Sequence, residues 1–152
     1  MDDYSETIPH QTNSAIAKLP LLAAVVALIG LADAVYLTIH HYTAAPVPCG
    51  AGFDCEQVLA SSYATIADIP LAIFGAAAYF AAFALAILAA FGNRLAWTLF
   101  GIQTTLMMFF TLRLVYLQAY VIEAFCQYCL LSAGTTLILF IIYLASKFQR
   151  LR

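Results

Sequence analysis

Apolar positions along this chain gather into four long blocks separated by polar stretches. The blocks run about Leu19–Tyr42, Ile69–Phe91, Leu95–Tyr120 and Phe125–Ser146. Each reaches the roughly 20 residues that carry a helix across the hydrocarbon core of a bilayer. No strand-like alternation of useful length interrupts them, so the pattern predicts an all-α integral membrane protein, one four-transmembrane-helix bundle. The second block is dense in alanine and carries Gly75, which permits close helix contact. The long polar connection is residues 43–68, between blocks one and two; the other two connections are short turns.

Composition agrees with the pattern. The chain has 152 residues, 64% of them hydrophobic and 9% charged, more apolar surface than a soluble domain of this length can hide. A membrane domain over residues 18–148 is expected, with a disordered cytoplasmic segment over 1–17 and a cytoplasmic tail over 149–152. The first block is too long, and its leader too acidic (Asp2, Asp3, Glu6), for a cleaved signal peptide. No repeat or low-complexity tract is present, and the net charge of −2 implies no nucleic-acid partner.

The basic residues set the orientation. Lys18 precedes the first block, Arg94 lies in the turn between the second and third, and Lys147, Arg150 and Arg152 follow the fourth. The 43–68 loop has no Lys or Arg. The positive-inside rule therefore places both termini and the Arg94 turn in the cytoplasm. The loop and the turn near Glu123 then face the periplasm of a multi-pass protein of the cell inner membrane. All four cysteines of the chain lie on that side, where disulfides persist.

Two of them form Cys126-Gln127-Tyr128-Cys129 at the start of block four. Three positions apart, they share one helix face. The exposed N–H groups at a helix start stabilise a thiolate, which suits a redox-active dithiol. Two inert buried cysteines are the alternative. Cys49 and Cys55 bracket a segment with Gly50 and Gly52, which lets the chain fold back and bring the sulfurs together. That pair is either a disulfide that only ties the loop or one half of a thiol–disulfide relay.

After Cys55, the positions Cys55, Val58, Leu59 and Ser62 fall at i, i+3, i+4 and i+7, predicting a short amphipathic helix on the membrane surface. Val58 and Leu59 form its apolar underside, and Ser61 either points into a pocket below or is solvated. In the blocks themselves, Asp33 and Arg113 fall in the outer half of the bilayer, where they either form a structural ion pair or stand apart, with Arg113 snorkelling to the periplasmic surface and Asp33 neutral. His40 and His41 mark the outer end of block one, as interfacial residues or as a proton relay.

Cys49, Cys55, Ser61, the run Ile69-Pro70-Leu71-Ala72-Ile73-Phe74-Gly75, and Cys126 with Cys129 resemble the vitamin K epoxide reductase family, in its bacterial quinone-reducing form. The resemblance spans about Leu19 to Ser146. It implies a four-helix bundle around a quinone, ubiquinone or menaquinone, with the periplasmic loop as lid. Cys129 would lie beside the quinone head group, and Cys126 would exchange with the loop dithiol. Cys49 and Cys55 would take electrons from a thioredoxin-fold (DsbA-like) protein, and Ser61 would position the loop or the quinone. Phe74, Leu71, Leu59 and Val58 are candidate walls of the quinone pocket. The thioredoxin-like domain that some family members carry after the last span is not found before Arg152, so a separate partner is expected. Animal relatives have an asparagine where Leu71 stands and a tyrosine where Ala133 stands, both linked to vitamin K binding. These departures favour ordinary quinone reduction over epoxide reduction. Two readings from other classes compete: a structural four-span protein with bracing disulfides, and a four-cysteine metal site, for which the Cys49–Cys55 spacing is poor.

Overall fold

The computed structural model describes residues 11–151. Five helices follow one another: α1 (Gln11–Thr43), α2 (Cys55–Leu59), α3 (Leu71–Ala90), α4 (Arg94–Leu117) and α5 (Gln127–Leu151). Four of them contain segments long and apolar enough to cross a membrane: Lys18–Thr43, Leu71–Ala90, Arg94–Ile122 and Gln127–Gln149. The expected blocks agree with these to within a few residues. Of the segment expected to be disordered, residues 1–10 lie outside the described residues, whereas the backbone is helical from Gln11.

The helices form a ring. α1 packs on α3 and α5, and α4 packs on the same two, while the diagonal pairs make marginal contact at most. Small residues permit this closeness. Ala23, Ala24, Ala27 and Ala34 on α1 meet Ala82 and Ala86 on α3 in the main core. With lipid outside as apolar as the core inside, packing and interhelical hydrogen bonds hold such a bundle together. Tyr79 of α3 is the central pin. Its ring fills the space that a Cβ on Gly30 of α1 would take. Its hydroxyl reaches the hydroxyls of Ser132 (2.9 Å) and Thr136 (2.8 Å) on α5. Nearer the opposite end, Trp97 of α4 donates to Ser146 Oγ of α5 (2.8 Å). There Gly101 of α4 lies flat against the Tyr143 ring of α5, which leaves no room for any side chain at that position.

The connections differ in kind. Asn93 caps α4 by accepting from the Ala96 N–H at 3.1 Å, directly after Gly92 with its φ of +92°. At its other end, α4 widens into a π-helical turn, Gln118–Ile122, closed by Glu123 in the left-handed region. The 43–68 loop contains α2, shorter than the sequence pattern predicts, since Ser62 lies beyond it. A two-residue-per-strand antiparallel hairpin follows, β1 (Thr65–Ile66) and β2 (Ile69–Pro70). Its turn residues Ala67 and Asp68 both have positive φ, as a tight primed turn requires. So short a hairpin is invisible to a search for alternation.

Candidate functional site

A second, smaller core sits at the lid. Cys55, Val58, Ala124 and Cys126 are its buried members, with Cys49, Leu59, Tyr128 and Cys129 packed against them. All four cysteines therefore meet in one cluster, although 70 residues separate the two pairs. Cys49 and Cys55 form a disulfide with Cα atoms 6.1 Å apart, and Cys126 and Cys129 are free thiols. Cys55 is 1% exposed and Cys126 is 0% exposed, whereas Cys49 and Cys129 are half-buried. Thus each pair contributes one buried and one half-buried cysteine to the shared cluster.

The lid is fastened to the start of α5 on both sides of its disulfide. The Asp54 N–H donates to the Phe125 carbonyl (3.0 Å). Gly50 N–H donates to Gln127 Oε1 (3.1 Å), and the Tyr128 hydroxyl donates to the Pro48 carbonyl (3.1 Å). Gln57 Nε2 reaches the Ile122 carbonyl at 3.1 Å. Asp54 also caps α2 through the Gln57 N–H. These bonds tie the loop pair to the residues flanking Cys126 and so hold the two pairs in register.

Gln118 positions Cys126 from the other side. Its buried side chain accepts the Cys126 N–H at 3.0 Å, and its carbonyl accepts the Ala124 N–H at 3.2 Å. π-turns of this kind recur at functional sites. Cys126 stands just before the span Gln127–Gln149. The Cys129 N–H points at its sulfur (3.4 Å). The hydrogen bond from the Cys129 thiol pulls the Cys126 thiol down to about 7, against the opposing effect of burial. A free cysteine titrates near 8.5, so Cys126 is the readier thiolate near neutral pH.

Below the lid, residues from all four spans line a cavity of about 990 Å³ counting its open mouth. Of the expected wall residues, Val58, Leu59 and Leu71 line it, and Cys129 faces it from α5. One wall residue is corrected, and Ser61 stands apart from the cavity. Phe74 is absent from the lining and is 46% exposed on the outside of the bundle. On α3 the lining arc passes through Leu71, Gly75 and Ala72, and Phe74 lies roughly 60° outside its Leu71 edge by the helical step. Ser61 does not line the cavity either; its hydroxyl donates back to the Val58 carbonyl at 2.7 Å and closes the end of α2.

The Asp33–Arg113 pair is a second correction. Both Asp33 oxygens lack a hydrogen-bond partner, and Arg113 is exposed. Asp33 instead lines the cavity, as do His41, Gln118 and Ser132. His40 is engaged apart from it, with Nδ1 3.2 Å from the Ala45 carbonyl. An apolar chamber with a few convergent polar groups at one end suits a flat, largely apolar molecule with oxygens at its rim. Among the described residues no group of three or more His, Cys, Asp or Glu side chains is placed to hold a metal ion.

The cavity, the paired dithiols and the lid belong to a span of sequence that a model of the vitamin K epoxide reductase family matches over residues 21–144. A search of curated proteins finds no match. With most of its length matched and four membrane-spanning helices, the chain belongs to the vitamin K epoxide reductase family and is a multi-pass membrane redox protein.

Proposed function

We propose that this protein is a thiol–quinone oxidoreductase supporting disulfide formation outside the cytoplasm of its cell, from the inner membrane. Electrons enter from the dithiol of a separate thioredoxin-fold protein, pass through Cys49/Cys55 to Cys126/Cys129, and leave to a membrane quinone. The observation that carries this reading is the burial of Cys55 and Cys126 in one small cluster, with Cys129 lining the cavity beneath.

Each exchange is thiolate attack on a disulfide. A partner thiolate attacks Cys49, the more accessible sulfur of the loop pair, and Cys55 leaves as thiolate. The partner's second thiol then closes its own disulfide and frees Cys49. Cys55 next attacks Cys126 in the Cys126–Cys129 disulfide and displaces Cys129. Attack by Cys49 on Cys55 restores the loop disulfide and leaves Cys126 and Cys129 reduced. A quinone bound in the cavity supplies the two-electron acceptor that reoxidises them. Val58, Leu59 and Leu71 hold it apart from water. Leu71 and Ala133 both line the cavity and offer no hydrogen bond, which supports plain quinone reduction over epoxide chemistry. Ser61 acts on the lid, by ending α2.

Thiol counting tests the function. Protein with all four thiols reduced, mixed anaerobically with a short-chain quinone, should lose two thiols for every quinone reduced, and an added dithiol should restart the cycle. Thiols that persist in excess quinone would leave only a brace. Orientation has its own test. In a cysteine-free variant, Ala51→Cys in the lid should react with an impermeant maleimide in intact cells. Phe91→Cys, next to the Arg94 turn and 86% exposed, should react only after the membrane is opened. The reverse pattern would remove the oxidising compartment on which the relay depends.

A further inference from the structure

Among the described residues Asp33 is the buried charged side chain. It is 7% exposed and neither carboxyl oxygen has a partner. A carboxyl left alone in an apolar interior is costly, and intramembrane acids that persist are usually paired or part of a functional path. Packing does not call for one here: Ala34 and Leu37, its neighbours on the same stripe of α1, are apolar and buried.

Its surroundings narrow what it can do. Asp33 and Cys129 line the same cavity, from α1 and α5. The other titratable groups lining that cavity are His41, at the exposed outer end of α1, and Tyr63, in the lid. A shallower groove between α1 and α5 also reaches Asp33 and brings Tyr36 and Tyr128 near it. From α3, Tyr79 is committed to Ser132 and Thr136. Cys126 lies above, bound into the lid cluster. No Lys or Arg lines either space. The carboxyl is thus free to deal with the Cys129 thiol and with whatever fills the cavity.

We propose that Asp33 is the proton carrier of the electron-releasing half-reaction: it takes the proton of the Cys129 thiol and hands it to an oxygen of the acceptor. This rests on the reading that the cavity receives a quinone. When Cys126 and Cys129 become a disulfide, one S–S bond forms, two S–H bonds break, and two electrons and two protons are given up. The quinone takes both electrons and both protons and leaves as quinol. Asp33 moves the Cys129 proton and ends in the state in which it began; the second proton is that of the Cys126 thiol. A carrier is needed because a thiol in apolar surroundings is reluctant to ionise, and transfer by a positioned carboxyl relieves that.

The test uses the intact protein in lipid vesicles. Fully reduced protein is mixed with a short-chain quinone, and quinone absorbance is followed through a single turnover. Asp33→Asn should slow this step about 100-fold, the lower end of what a positioned acid–base group contributes. Exchange of an added dithiol with the Cys49–Cys55 disulfide should stay within about twofold of the unaltered protein, because Asp33 lies outside the lid cluster. Asp33→Glu keeps the carboxyl and should recover at least about a tenth of the rate. Without quinone, the infrared difference between dithiol and disulfide forms of Cys126/Cys129 should contain a carboxyl band that vanishes in Asp33→Asn. An unchanged quinone rate in Asp33→Asn, equal slowing in the Asn and Glu variants, or a difference spectrum without an Asp33 band overturns the assignment. If the unaltered protein passes nothing to quinone, the quinone reading itself fails and this inference falls with it.

Discussion

Cys129→Ala will abolish quinone reduction and convert the protein into a trapped Cys55–Cys126 disulfide. The expectation follows from where the four sulfurs lie. Cys126 is buried with Cys55 in the lid cluster, and Cys129 lines the cavity one helical turn deeper. With Cys129 gone, a Cys126–Cys129 disulfide no longer forms. Cys126 keeps its place at the start of α5, where the Gln118 side chain holds its N–H, and its one remaining partner is the loop disulfide. Attack by Cys126 on Cys55 displaces Cys49 as a free thiol; with Cys129 gone, Cys49 alone can reverse it, and alkylating Cys49 traps the Cys55–Cys126 disulfide. Peptide mass mapping should find Cys55 joined to Cys126, with Cys49 open to alkylation, and quinone reduction at the level of protein-free vesicles. Cys126→Ala should show no crosslink to the lid, since Cys129 faces the cavity. A crosslink from Cys129 in Cys126→Ala, and none from Cys126 in Cys129→Ala, would exchange the two roles.

Much of this site was legible from the chain, and the misses have a common cause. Block lengths fixed the four spans because bilayer thickness allows few alternatives. The short spacing of Cys49 and Cys55 and the helical spacing of Cys126 and Cys129 indicated the two pairs, and Val58, Leu59 and Leu71 do line the cavity. What rise per residue cannot supply is direction around the helix axis. It put Asp33 and Arg113 at similar depth, but α1 and α4 are diagonal in the ring and share no substantial interface. Phe74 missed the cavity by roughly 60° around α3. Gln118 was visible as a polar residue inside an apolar block, eight positions before Cys126, yet its aim depends on a π-turn that no periodicity announces. Gln127 and Tyr128 sat inside the CxxC motif as unspecified residues. They turn out to fasten the lid on either side of Cys49.

That fastening bears on the second large effect, expected when the lid pair is removed. Cys49→Ala and Cys55→Ala should each abolish oxidation of a thioredoxin-fold partner while leaving a small dithiol able to drive quinone reduction. A partner of protein size meets the half-buried Cys49 at the lid surface and has no path to Cys126, which is 0% exposed. A small dithiol has a second route, through the mouth of the cavity to Cys129. A bracing disulfide predicts otherwise. Closing so short a loop contributes about 2 kcal/mol, and its loss would loosen the lid and lower both activities together. The lid has further anchors, however, in the bonds from Gly50, Asp54, Gln57 and Tyr128 to their partners across the cluster. It should therefore stay seated without its disulfide, and the two activities should separate. Rates with a reduced thioredoxin-fold protein and with dithiothreitol, measured side by side on each variant, decide it. Loss of the first with at least about a tenth of the second retained is the signature of a relay, because each exchange needs its own attacking thiolate. Equal loss of both marks a brace, and partner oxidation at the normal rate in either variant removes the lid cysteines from the path altogether.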